Sequence, residues 1–312
     1  MRTHFDRKQL LVALPVILVT LLFAASVMAA TIVDTGGQVV TFDKPFSRII
    51  SLYGAHTENL FFLGLDKEII GVTRSDDFPS QAVEKKKFSY REDAEKFIAA
   101  RPDLVLIRPM IARAYPHLTS KLQQAGITVV SLQPTSIEDT FGYWQKLGQL
   151  TGREKRAAEM IKTFGRGIRK ISEKIAAIPE VERKKVYFEA IHRKMKTFAP
   201  TSMAIYALST AGGVNIGADA DQVRNTNIAA YGKERILSRA HAIDVFLAQK
   251  GVMNKIDRQR IIEEPGFSVI KAVREGQVYL IDEKLVSRPT MRLLEGISRI
   301  GGILYPELFK DE

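Results

Sequence analysis

Arginines and tyrosines, set where strands give way to helices, are the residues of this chain best placed for chemistry. Tyr53 and His56 follow a strand-like run ending at Leu52, and Arg74 follows one ending at Val72. Tyr90 and Arg91 precede a helix start near Asp93, and Arg108 follows a run ending at Ile107. In the second half His192, Arg193, Lys194 and Lys196 follow Ala190, Arg224 and Asn225 sit in a polar loop, and Arg288 opens the last helical stretch. Guanidinium forks bind carboxylate, catecholate or phosphate oxygens, and tyrosines offer flat faces to rings and cations. Almost no carboxylate accompanies them. The set suits an anionic, bulky, partly aromatic ligand, and a ferric siderophore and haem both fit. A bare divalent cation would want three or four converging His, Asp or Glu ligands. If the ligand carries a metal, His56, His192 and Tyr53 are the candidates to reach it, although each histidine equally suits a backbone hydrogen bond at a strand end. Asp76-Asp77 reads as a turn.

Catalytic signatures are missing. The chain has no Gly-x-Ser-x-Gly elbow, His-Glu-x-x-His pair or P-loop. Gly212-Gly213 with Asn215 and Gly217 is turn chemistry, and five histidines leave little for acid–base work. An exported α/β hydrolase or chelate-processing enzyme stays open as the alternative of another class.

The elements that must position these residues begin after an export signal. Arg2, Arg7 and Lys8 precede an apolar run from Leu10 to Ala25, and Val27-Met28-Ala29 has the small-x-Ala form of a cleavage site. Residues 1–29 are therefore expected to be removed, with cleavage after Ala30 the near alternative. What remains carries 43 basic against 34 acidic residues, a formal +9. Zero cysteines exclude disulfides, thiolate metal sites and a lipidated cysteine. The mature chain is expected free and soluble in the periplasm, where nucleic acid is not a partner; Lys85–Lys87 and Arg183–Lys185 are short solvated runs.

Strand-like and helix-like segments then alternate, the pattern of an α/β fold. Residues 48–52, 68–72, 103–107 and 127–132 read as buried strands, with helices over 56–65, 93–100, 112–125 and 137–150. Gly126 stands where a helix should stop. From 151 to 179 one amphipathic stripe, Ala157, Ile161, Phe164, Ile168, Ile171, Ile175 and Ile178, predicts a single long helix closed by Pro179. Strands at 185–190, 242–248 and 277–281 and helices near 202–211, 233–240, 258–264 and 288–304 follow. The expected domains are an N-terminal lobe over 30–150, a connecting helix over 151–179 and a C-terminal lobe over 180–312.

Three segments, in this order, give a resemblance: RIISLYGAHTENLFFLGLDKEIIGVTRSDDFP; AEKFIAARPDLVLI; and YGKERILSRAHAIDVFL with REGQVYLI and RPTMRLLEGISRIGGILYPE. The chain resembles the iron-siderophore and vitamin B12 periplasmic-binding family, whose members serve ABC importers. The resemblance implies two Rossmann-like lobes joined by one backbone helix, a ligand cleft between them, limited hinge motion, a monomer, and no cofactor beyond the transported chelate. It implies an inner-membrane permease as partner, docked through one helix-start glutamate per lobe, here Glu95 and Glu234. Such glutamates also suit the helix dipole and are common. Tyr53, His56, Arg74, Tyr90, Arg91, Arg108, His192, Arg193 and Arg288 are the expected ligand contacts.

Overall fold

The structure is a computed structural model that describes residues 29–224 and 226–310; the expected export signal, Ala29 apart, lies outside them, as does Asn225. None of the described helices is long and apolar enough to cross a membrane.

The first half is built on four parallel strands in the order Ile69–Gly71, Ile49–Ser51, Leu104–Ile107, Thr128–Ser131. Nearly every side chain on these strands is buried, as sheets covered on both faces require. An antiparallel hairpin, Ala30–Val33 with Val39–Phe42, precedes them and was not expected. Its turn is organised by Asp34, whose carboxylate accepts the amide N–H of Gly36 at 2.8 Å, Gln38 at 2.9 Å and Ser131 at 3.2 Å. The helix expected over 112–125 is two, Pro109–Ala114 and Pro116–Gln124. Pro116 has no N–H for the ladder and its ring blocks the preceding turn. Gly126, at φ +78°, ends the second helix as its position suggested.

The expected single helix over 151–179 is also shorter. Residues Glu154–Ile175 form it, 22 residues or about 33 Å at 1.5 Å per residue. Gly152, at φ +64°, closes the preceding helix Ile137–Thr151, and the chain leaves helical geometry before Pro179. Its stripe nevertheless packs on both halves. Phe164 meets Trp144 of the first half edge-on at 5.4 Å, while Ile175 lies so close to Gly212 of the second that a Cβ there would stand 2.9 Å away. One continuous apolar cluster thereby runs from Ile49 and Val130 through Trp144 and Phe164 to Phe188, Leu247 and Ile300. Bending the halves apart would open that cluster and expose its apolar side chains.

The second half has a mixed sheet. Lys185–Ile191, Val245–Lys250 and Val278–Asp282 run parallel and match the three expected strands within a few residues at their ends. Three short antiparallel strands, Lys196–Phe198, Ile228–Ala230 and Asp221–Gln222, extend the sheet beyond Lys185–Ile191. The last long helix begins at Leu293, not at Arg288. Residues 288–292 stay irregular around Pro289, and that irregular stretch turns out to hold the two halves together.

Candidate functional site

Two neighbouring parallel strands of the first half, Ile49–Ser51 and Leu104–Ile107, end side by side. Each is followed by a residue that caps a helix: Tyr53 before Gly54–Phe62 and Arg108 before Pro109–Ala114. Adjacent strand ends bring these residues together, with the Arg108 guanidinium 4.8 Å from the centre of the Tyr53 ring. Beyond them lies a cavity of about 410 Å³, within the roughly 300–1,000 Å³ of small-molecule sites. Leu52, Tyr53, Thr73, Ser75, Tyr90, Arg108 and Gln133 line it from the first half. Phe198, Asn227, Ile228, Gln249, Val252, Met253, Glu283, Ser287 and Arg288 line it from the second. The position matches the rule that ligands of open α/β sheets bind beyond the carboxyl ends of the strands.

Of the nine expected contacts, Tyr53, Tyr90, Arg108 and Arg288 meet at this cavity. Burial pushes the Tyr53 phenol up, with Arg108 and Arg288 pulling it back, so the hydroxyl stays neutral. Tyr90 packs on Tyr115 at 4.9 Å, and Arg91 stacks behind it, 5.8 Å from its ring, outside the lining. Arg74 is displaced too: its neighbours Thr73 and Ser75 line the cavity, while its own side chain is 79% exposed and meets Glu92 at 3.7 Å. Arg193 is exposed and also outside the lining.

Both histidines correct the expectation. His56 is fully buried, and its two ring nitrogens are already used. Nε2–H donates to the Ile107 carbonyl at 3.0 Å, so Nδ1 accepts the Tyr143 hydroxyl at 2.7 Å. Burial lowers its pKa to about 4, opposed by the Ile107 carbonyl and assisted by Arg108. A neutral imidazole with no free lone pair cannot reach a ligand's metal. His192 is clasped instead by Glu189, at 2.8 Å from Nδ1, and Glu264, at 3.4 Å from Nε2. Burial pulls this imidazole down, but the two carboxylates outweigh it and the net direction is up. Asp76, read as a turn residue, accepts the Thr73 N–H at 3.1 Å and the Thr73 hydroxyl at 2.6 Å.

The floor of the cavity is an ionic and polar joint between the halves. Glu58, buried in the first helix, meets Arg288 at 2.6 Å and Arg292 at 3.9 Å. Burial raises the Glu58 carboxyl, and the Arg288 guanidinium 2.6 Å away opposes that rise. The Pro289 carbonyl accepts from Asn59 Nδ2 at 2.9 Å and from Trp144 Nε1 at 3.1 Å. Asp77 and Lys284 bridge the rim at 2.5 Å. Arg288 therefore reaches the site already neutralised, leaving Arg108 as the lining guanidinium that makes no ion pair among the described residues.

Most second-half lining residues escaped the sequence reading. Val252 and Met253 follow the strand Val245–Lys250, so the rule that located Tyr53 also applies to them. Phe198 and Ile228 sit on short antiparallel strands whose pairing no local pattern announces. Glu95 and Glu234 are both exposed in the first turns of Ala94–Ala100 and Lys233–Ser238; Glu95 pairs with Lys121 at 3.3 Å.

Comparison with known proteins follows the same architecture. A family model described as periplasmic binding protein matches residues 49–285. An uncharacterised ABC transporter substrate-binding lipoprotein of Bacillus subtilis is 29% identical, the match covering 91% of this chain and 88% of that protein. A vitamin B12-binding protein of Vibrio cholerae is 23% identical over 82% and 89%. Among solved structures, a possible iron-binding (periplasmic solute-binding) protein from Staphylococcus epidermidis superposes with a TM-score of 0.72 at 28% identity, covering 84% of this chain and all of that one. A periplasmic haem-binding protein from Roseiflexus shares the fold at a TM-score of 0.70 and 20% identity, over 84% and 99%. With a cavity at the strand ends of two α/β halves, a helix packed on both, and a family match over most of its length, the chain belongs to the periplasmic binding protein family.

Proposed function

We propose that this chain is the periplasmic substrate-binding component of an ABC importer and captures a ferric siderophore or similar metal chelate. The observation that carries this is the cavity itself, to which each half contributes its own wall. Both histidines once considered for the metal are engaged elsewhere, which favours a chelate whose metal is already coordinated. Two cations, Arg108 and Arg288, stand against two anions, Glu283 and the Glu58 that pairs with Arg288. Formal charges cancel, so Arg108 meets one anionic or oxygen-rich group of the ligand and a polyanion would go unmatched. A haem or corrinoid carrier is the second reading, favoured by the rings of Tyr53 and Tyr90 on one wall and the Met253 thioether on the other.

Delivery follows by docking of Glu95 and Glu234 on an inner-membrane permease, with export by the cleaved signal. The testing experiment is titration of the purified protein with ferrioxamine B, haemin and cyanocobalamin, followed by Trp144 emission and visible absorbance. Saturable binding of one of them, with the compound recovered unchanged, supports the reading. Conversion of the bound compound by the protein alone would replace it with the enzyme alternative.

A further inference from the structure

The loop Gly251–Asn254 has a rigid root and an apolar tip. Asn254, at the root, is buried and fully engaged. Its Nδ2 donates to the Gln249 carbonyl at 2.9 Å, and its Oδ1 accepts the His192 N–H at 2.9 Å. The Gly251 N–H closes the loop on the Asn254 carbonyl at 3.1 Å. Gly251 passes so close to the Glu283 side chain that any Cβ would collide with it. Behind the root, Glu189 and His192 hold the same network at 2.8 Å. In front of it, Gln249 is fixed by Ala190 at 3.0 Å and Ser287 at 2.8 Å.

On this mount, Val252 is 71% and Met253 55% exposed, among the most exposed large apolar side chains described. Both line the same cavity as Tyr53 and Tyr90 of the first half. The backbone beneath these two side chains is held at both ends of the loop, so covering them orders little backbone, and it removes apolar area from water.

We infer that Val252 and Met253 are specificity-determining residues, an apolar jaw that selects chelates with a hydrocarbon or flat macrocyclic face over small hydrophilic ones. The inference rests on the chelate-binding reading above and adds the class of chelate. Methionine suits the role because its unbranched, polarisable side chain adapts to irregular surfaces.

The test compares the wild-type protein with Val252→Ser together with Met253→Ser, using ferrioxamine B, haemin and cyanocobalamin. Each probe that the wild type holds binds the double variant about tenfold or more weakly, as expected for two partly buried apolar side chains. Its binding heat-capacity change becomes less negative, while thermal unfolding of the unliganded protein is unchanged because the root is intact. Equal affinities for wild type and variant would overturn the inference and leave chelate binding standing; impaired uptake alongside them would assign the jaw to the permease. Failure of the wild type to bind any of the three would overturn the chelate reading and this inference with it.

Discussion

Acidification should weaken this fold through His56, and replacing that one residue should remove much of the effect. The imidazole is buried, donates to the Ile107 carbonyl and accepts from Tyr143, so it folds neutral, with a pKa of about 4 against an ordinary 6.5. Between those values the unfolded chain takes up a proton at His56 and the folded chain does not. Stability therefore is complete above about pH 6.5 and falls as pH drops toward 4. Integrating the two titrations from pH 7.5 to 4.5 gives a loss of about 2.5 kcal/mol. His192 acts in the opposite sense. Its pKa is raised in the fold, so its contribution is present below 6.5 and lost as pH rises through the folded value. The acid-side loss thus belongs to His56 of these two. Urea unfolding from pH 7.5 to 4.5 reads it through Trp144, the single tryptophan, which is buried at the joint of the halves. His56→Gln keeps an uncharged amide there. Its starting stability will be lower, but its curve should be flatter than the wild-type curve by about 2.5 kcal/mol over that range. Parallel curves would refute the assignment of a neutral, buried His56.

Three further outcomes follow from the site. Glu58→Ala strands the Arg288 guanidinium and should cost about 3–5 kcal/mol, read by the same urea titration; a loss below about 1 kcal/mol would mean that the joint is not ionic. Arg108→Gln removes the lining cation without an ion pair and should weaken an oxygen-rich chelate such as ferrioxamine B by roughly ten- to a hundredfold, measured by fluorescence titration, and unchanged affinity would remove Arg108 from the contacts. Glu95→Ala with Glu234→Ala should leave chelate affinity intact and abolish uptake in a transport assay with the cognate permease; normal uptake would sink the docking assignment.

Legibility along the chain follows how local each feature is. Buried parallel strands such as Leu104–Ile107 are short, uniformly apolar and bounded by Asp and Arg, so period and punctuation suffice. Pro116 inside the expected 112–125 helix was also visible, and giving it its steric weight would have split that helix. The hairpin before Phe42 offered only four-residue alternation around Thr35-Gly36-Gly37, a weak signal unless the turn is noticed. Tyr53 and Arg108 were accessible because strand-to-helix loops mark the mouth of an α/β sheet. His56 follows that loop, inside the first turn of the helix Gly54–Phe62, and burial there cannot be seen from its neighbours in sequence.

By itself, the sequence determined the alternation of strands and helices, an amphipathic helix midway along the chain, and a set of arginines and tyrosines at the strand ends. Those features depend on residues a few positions apart, where periodicity and turn chemistry act. Only the tertiary structure decided that Arg288 arrives paired with Glu58, 230 positions away, that both histidines are spoken for, and that Val252 and Met253 line one cavity with Tyr53. The physical reason is that charge compensation, burial and apposition are properties of the space between elements. Two side chains distant in sequence acquire a pKa, a partner or a ligand only when packing brings them within a few ångströms.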